Sequence, residues 1–281
     1  ADLGGASKFT NIKKSNPENF IQCGISEANM IGVGCGLSSE GFIPYVHTFG
    51  PFATRRVYDQ IYLSGAYAHN TINIYGSDPG FTVGPNGGTH TTWEDVALMR
   101  EIPGSVIVDP CDETQTRWVV KELSKYEGVH YIRANRKNVR NVYTTDSTFE
   151  LGKGNVLREG KDILIIVSGQ LVSDALDCAE KLVEEGYSVE VIDMYCIKPL
   201  DIDLVLSESK GKKAVVTFEN HSIYGGLGSA VAEVLMENGV NVPFKRHGVD
   251  ERFGQVGTPD FLQKEFHLTA DDLYKTVKSM L

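Results

Sequence analysis

The sequence predicts an α/β protein made of two consecutive βα units with mostly parallel sheets. Short β-rich runs alternate with amphipathic stretches along most of the chain, a rhythm that builds parallel sheets covered by helices. The rhythm breaks once, over 138–161, where polar residues and turn formers take over. A length of 281 residues also suits two domains of about 150 each.

In chain order, Ala1-Asp2-Leu3 reads as the end of a strand whose start, with a helix, is missing. Ala28, Met30, Ile31 and Val33 mark a helix. Phe42 to His47 is expected as a strand, and Phe52 to Ala68 as a helix with Val57, Ile61 and Ala68 on one face. Thr71 to Tyr75 is a strand, Trp93 to Arg100 a short helix and Ser105 to Val108 a strand. Asp112 opens the next helix with Gln115 three residues on, a capping-box pattern. Val129 to Arg133 is again a strand. The first unit spans 1–145, a linker 146–160 and the second unit 161–281. There, Asp162 to Val167, Ser188 to Asp193, Ala214 to Glu219 and Val242 to Arg246 are strands. Ser173 to Glu185 is a helix stopped by Gly186. Leu227 to Glu237 and Asp271 to Met280 are helices, the last capped by Thr269.

Composition narrows the function. Against 37 Asp+Glu stand 27 Lys+Arg, a net charge of −10, which argues against a dedicated nucleic-acid binder. Hydrophobic content of 41% and charged content of 23% are those of a folded globular chain. No apolar run is long enough to cross a membrane, and the first residues lack the basic and apolar regions of a signal peptide. Cys23, Cys35, Cys111, Cys178 and Cys196 are an odd number with no C-x-x-C, as expected of ordinary reduced thiols in a cytoplasmic protein. Gly32-x-Gly34-x-Gly36 has no strand before it and lies in an apolar helical pattern, so the glycines are expected to serve helix packing rather than a dinucleotide. The seven histidines show no metal-ligand spacing.

Two features resist a purely structural reading. Glu27, in Gly24-Ile25-Ser26-Glu27-Ala28-Asn29-Met30, puts an acid at the mouth of a helix, where the helix dipole alone would favour it. The stretch from Gly76 to His90 holds five glycines in fifteen residues, costly unless the backbone turns tightly or approaches a ligand. A long loop after a strand of a parallel sheet is a common ligand site.

These segments together resemble the last two domains of a transketolase. The resemblance covers nearly the whole chain through Asp2-Leu3-Gly4-Gly5, the Glu27 segment, Thr48-Phe49-Gly50-Pro51-Phe52-Ala53-Thr54-Arg55-Arg56-Val57-Tyr58-Asp59-Gln60-Ile61, Glu94-Asp95-Val96-Ala97-Leu98-Met99-Arg100, Tyr131-Ile132-Arg133, Ile197-Lys198-Pro199-Leu200-Asp201, Glu219-Asn220-His221 and Gly225-Gly226-Leu227-Gly228. It implies a pyrimidine-binding domain followed by a transketolase C-terminal domain. The domain that grips the diphosphate of thiamine diphosphate and its metal is absent here. The resemblance therefore implies the smaller subunit of a split transketolase, with a partner subunit holding Mg2+ (or Ca2+/Mn2+) in an α2β2 heterotetramer, and a lone copy without activity.

The family pattern assigns roles by position. Glu27 matches the glutamate that hydrogen-bonds the cofactor's aminopyrimidine ring and primes its activation. Phe49 and Phe52 match aromatics that pack on that ring, and Arg55 is grouped with them as a cofactor contact. His90 matches a histidine near the reacting oxygens of the sugar. Arg136 matches a phosphate-contacting arginine; a solvated basic cluster with Arg133, Lys137 and Arg140 explains it equally well. Ser7, or Ala6 in its place, matches a phosphate-contacting serine. Glu219, His221 and the Gly225 to Gly228 turn are expected to be structural or interfacial rather than catalytic.

Two departures bear on the substrate. Asn86 stands where transketolases carry an aspartate that reads a donor hydroxyl, and Asp78 where many carry a phosphate-contacting histidine. The resemblance implies ketol transfer from a sugar phosphate or related anionic sugar, and because a carboxylate would repel phosphate a modified, branched or differently charged sugar stands as an alternative to ordinary pentose phosphates. A deoxyxylulose-phosphate-synthase-like condensation of pyruvate with an aldehyde is a rival, and a non-catalytic assembly subunit a rival of another class.

Overall fold

The computed structural model describes residues 1–5, 9–135 and 138–281. Its frame is two five-stranded sheets. The first holds β1 (Tyr45–Phe49), β2 (Ile72–Ser77), β3 (Val106–Val108) and β4 (Val129–Ala134), all parallel, in the order β1-β2-β4-β3. The second holds β5 (Asn155–Arg158), β6 (Ile163–Val167) and β7 (Val189–Asp193). One more strand, β8 (Cys196–Lys198), leaves this unit and pairs antiparallel with β3, closing the edge of the first sheet. β9 (Ala214–Ser222) and β10 (Phe244–Val249) complete the second sheet in the order β10-β9-β6-β7-β5. Its strands are parallel except β5, which pairs antiparallel with β7.

The central strands form where apolar residues run together, whereas the edge strands β5 and β10 are mixed in polarity and only partly buried. β6, Ile-Leu-Ile-Ile-Val, is buried along its whole length, as a central strand of a parallel sheet covered on both faces must be. The helix Val172–Glu184 buries Val172, Ala175, Cys178, Ala179 and Leu182, a stripe at three- and four-residue spacing. It ends before Gly186, whose φ of +93° lies in the left-handed region. Leu227–Glu237 is a helix with the bounds its sequence predicts. Ala270–Lys278 opens on a full capping box between Thr269 and Asp272.

The helix Glu27–Ser39 carries the three spaced glycines. A Cβ on Gly34 would lie 3.0 Å from Ile72 Cδ1 and 3.1 Å from Val46 Cγ1, whereas Gly32 and Gly36 face open space. Close packing on β1 and β2 therefore explains Gly34 alone. Cys35, Cys111, Cys178 and Cys196 are buried and Cys23 is partly so, all as free thiols. No helix among the described residues is long and apolar enough to cross a membrane.

Four expectations need correction. The first long helix is broken into Gly50–Ala53, a 3-10 turn Arg55–Val57, Tyr58–Gln60 and a π-helix Ile61–Tyr67, because Thr54 (φ −126°, ψ −88°) and Val57 (φ −123°, ψ 19°) leave helical geometry. The first strand runs two residues beyond its expected end and closes on Phe49, while Phe42 and Ile43 stay exposed. The stretch 146–160, expected as linker, contributes β5. Gln115 completes only half of a capping box: Asp112 Oδ1 accepts from Gln115 N–H at 2.9 Å, but the Gln115 amide turns to Cys111 N–H and to Asp193.

The units share a core. Phe81 and Trp93 of the first pack with Leu262, Phe266 and the β6 side chains of the second, Trp93 meeting Phe266 edge-on at 4.9 Å.

Candidate active site

The strand ends place the site. β1 delivers Phe49 at its carboxyl end, and Pro51 starts the following turn, holding Phe52 one short step away. The two rings meet edge to face at 6.2 Å. His90 closes the group, 5.4 Å from Phe49 and 5.0 Å from Phe52 between ring centroids. Its Nδ1 shares a hydrogen bond with the Thr89 hydroxyl at 2.9 Å. Desolvation, aided by the Arg56 charge, lowers the His90 pKa from its ordinary 6.5, which favours a neutral imidazole at pH 7.

Glu27 begins its helix and is 7% exposed. Its Oε2 accepts from Arg56 Nη1 at 2.9 Å. The Arg56 guanidinium in turn lies 3.7 Å over the centre of the Phe52 ring, a cation–π stack. One chain of contacts thus joins Glu27, Arg56, Phe52, His90 and Phe49.

Arg55, expected beside the cofactor, instead braces the His90 loop. It pairs with Glu94 at 2.6 Å and donates to the carbonyls of Thr89 and Thr91. Arg56 is the arginine that reaches Glu27, and sequence reasoning missed it. The available signal was its place four residues after Phe52 in the stretch expected as one helix, and the pair stays in contact although Thr54 breaks that helix between them.

Asp78 follows β2, is fully buried, and has a φ of +55°; its N–H donates to the Ala134 carbonyl of β4. A left-handed aspartate at the carboxyl edge of a sheet is the kind of backbone feature that functional sites keep. Asn86 is exposed on the glycine loop. Ser7 and Arg136 lie outside the described residues.

Gly80, Gly84 and Gly87 have φ of +58°, +61° and +77°, the tight turning expected of them, and close packing adds a second cause. A Cβ on Gly80 would fall 2.0 Å from Asn220 Oδ1, and one on Gly88 2.3 Å from the Gly254 carbonyl. The second unit presses on the loop, and its backbone and amide occupy the space that side chains would need. Asn220 Nδ2 also donates to the Pro79 carbonyl and Oδ1 accepts from Phe81 N–H.

Arg133 is not part of a solvated basic cluster. It is 1% exposed and gives two hydrogen bonds to Asp95, one to Asp109 and one to the Asn220 carbonyl. Burial opposes ionisation of Asp95, but the charges of Arg133 and His221 and bonds from Arg133 and Tyr131 outweigh it and hold Asp95 below the ordinary carboxylate range. Arg140 pairs on the surface with Asp177. Glu219 accepts from the N–H groups of Leu227 and Gly228 at a helix start, and burial pushes it up to about 7 despite those bonds. Burial lowers His221 to about 4. This network joins the two units and fits the structural role expected of Glu219 and His221. Among the described residues no group of three or more His, Cys, Asp or Glu could hold a metal ion.

Comparison with known proteins agrees with the fold. Residues 1–142 match the transketolase pyrimidine binding domain and residues 152–273 the transketolase C-terminal domain. A 6-deoxy-6-sulfo-D-fructose transketolase subunit, SqwH, of Clostridium sp. (strain MSTE9) is 44% identical, the match covering 98% of this chain and 85% of that one. A subunit of the apulose-4-phosphate transketolase of Phocaeicola vulgatus is 37% identical over 98% of this chain and 88% of its own. Human transketolase is 32% identical, but the match spans only 44% of it. A solved structure described as a split gene transketolase, inactive beta4 tetramer, superposes with a TM-score of 0.92 at 40% identity, covering all of this chain and 90% of that one. The chain belongs to the transketolase family, as a subunit built of the pyrimidine-binding and C-terminal domains.

Proposed function

We propose that this chain is the pyrimidine-binding subunit of a two-component, thiamine-diphosphate-dependent transketolase of the cytoplasm. It transfers a two-carbon ketol unit from an anionic ketose to an aldehyde acceptor. A diphosphate-binding partner subunit holds the cofactor's tail and Mg2+ (or Ca2+/Mn2+) in an α2β2 assembly, and the chain alone is inactive. The observation that carries this reading is the chain of contacts that links a buried carboxylate, Glu27, through Arg56 to the rings of Phe52, Phe49 and His90.

The residues fit a flat nitrogen-bearing ring. A guanidinium, itself planar with N–H groups along its edge, already lies over Phe52 and donates to Glu27. Thiamine diphosphate, when bound, supplies the carbanion chemistry of ketol transfer. Glu27 holds at its carboxylate the proton shared with the pyrimidine. Phe49 and Phe52 grip the ring and keep water away. His90, neutral at working pH, offers a hydrogen bond to the sugar oxygen on which charge develops. Arg55 does not contact the cofactor in this reading; it fixes the His90 loop.

Asp78 and Asn86, with Ser7 and Arg136, read the substrate. The donor is a sugar phosphate or related anionic sugar outside the common pentose phosphates. Relatives named for a sulfo-sugar and for apulose 4-phosphate support that choice, and the buried Asp78 speaks only against an ordinary phosphate contact at that position.

Co-purification with the partner subunit, followed by a donor–acceptor panel with thiamine diphosphate and magnesium, tests the whole. Ketol transfer only in the pair, with a modified anionic ketose preferred, is expected. Equal use of xylulose 5-phosphate and ribose 5-phosphate would refute the substrate class. Carbon dioxide release from pyruvate would refute ketol transfer, and full activity of the partner alone would refute a catalytic role for this chain.

A further inference from the structure

Arg56 makes the two contacts that the proposed function assigns to the cofactor ring. Its guanidinium stacks 3.7 Å over Phe52, and its Nη1 donates to Glu27 at 2.9 Å. The Glu27 side chain is only 8% exposed, whereas that of Arg56 is 46% exposed. The carboxylate therefore has little open edge left, and Arg56 stands on it from the solvent side. Arg55 cannot substitute, because it is committed to Glu94 and the His90 loop.

We propose that Arg56 is a displaceable plug of the ring site. It keeps a buried carboxylate paired, which would otherwise be costly, and covers an aromatic face that would otherwise be open. Cofactor and guanidinium compete for one carboxylate and one ring face, so binding of the first requires the second to swing into solvent. The proposal rests on the reading that Glu27 and Phe52 receive the pyrimidine. It adds a prediction that this reading lacks: removing a residue in contact with the essential acid tightens cofactor binding.

A competitor that fills the site about 90% of the time weakens apparent affinity about tenfold. Titration calorimetry on the apo two-subunit complex with Mg2+ is the test. Arg56→Ala should bind thiamine diphosphate about tenfold more tightly than wild type. Arg56→Lys, which keeps the charge and loses the planar fork, should fall between. Inorganic pyrophosphate with Mg2+, which has no ring, should bind wild type and Arg56→Ala alike. Unchanged or weaker thiamine diphosphate binding in Arg56→Ala would overturn the plug. So would an equal gain for pyrophosphate, which would mark a charge effect. The underlying reading fails separately: Glu27→Gln and Phe52→Ala would then leave both cofactor affinity and activity at wild-type levels, whatever Arg56 does.

Discussion

Asn220 of the second sheet holds the backbone on either side of Gly80, donating from Nδ2 to the Pro79 carbonyl at 3.0 Å and accepting at Oδ1 from Phe81 N–H at 3.3 Å. The loop that carries His90 is thus anchored from the other unit. This gives the C-terminal half a part in the site without a catalytic group of its own. Asn220→Ala removes both bonds and leaves Gly80 facing a void. The loop should loosen, and small misplacements of positioning residues cost about tenfold or more in rate. We expect kcat/KM of the assembled enzyme to fall about tenfold, with faster amide exchange over 79–92. Unchanged exchange there would show that the loop is held by other means.

Glu27→Gln is the direct test of the acid. The amide is close to isosteric and can still accept from Arg56, so folding should be unaffected. It cannot hold the shared proton, and loss of a positioned acid–base group costs about 10²- to 10⁴-fold. The melting temperature should stay within about 2 °C of wild type, as for most substitutions without packing loss. Activity retained within threefold would remove Glu27 from the mechanism.

His90 offers a pH readout in the chain alone. Desolvation and the Arg56 charge both lower its pKa from 6.5. The neutral form therefore persists to lower pH than in an ordinary histidine, and protonation follows only below that range. Arg56→Ala deletes one of the two causes, so the His90 midpoint should rise toward 6.5. Histidine NMR titration of wild type and variant decides it, with coincident curves as the adverse outcome.

The parallel sheets were legible because β-rich runs such as Ile163–Val167 and amphipathic stretches such as Val172–Glu184 alternate without ambiguity. Glu27, Phe49, Phe52 and His90 were singled out through resemblance, and the structure places them in one chain of contacts by way of Arg56, which was not singled out. β8 was not, since three residues carry no period and its place was won by pairing with β3. The helix expected over Phe52 to Ala68 buries Val57 and Ile61 as its spacing predicts, but Ala68 is exposed just past its end, and a spacing does not report the backbone at Thr54. Arg133 misled because a charge in an otherwise apolar strand reads as surface until its partners, Asp95 and Asp109, arrive from distant segments. The tight turning of the glycine loop was legible, as the left-handed Gly80, Gly84 and Gly87 show, but its packing was not, because the atoms that exclude side chains at Gly80 and Gly88 belong to Asn220 and Gly254.

Asp193 makes stability depend on pH in an unusual direction. It ends β7, fully buried, where Oδ2 accepts from Gln115 and Tyr143 at 2.9 and 2.7 Å. Burial pushes its pKa up to about 7 even against those bonds, whereas an unfolded aspartate titrates near 3.9. Between those values the native chain binds the proton and the unfolded chain does not. The contribution is therefore complete below about pH 4 and is lost as pH rises through about 7. A gap of about three units corresponds to roughly 4 kcal/mol as an upper bound. Glu219, also raised to about 7 by burial, acts with the same sign. Asn at position 193 keeps an acceptor for Tyr143 and Gln115 and has no proton to lose. Thermal unfolding should show wild type losing stability from pH 5 to pH 8. Asp193→Asn should show about half that loss, the remainder being Glu219, and should be the more stable protein at pH 8. Parallel profiles for the two proteins would mean that Asp193 stays ionised in the folded chain, held by its two hydrogen bonds in spite of burial.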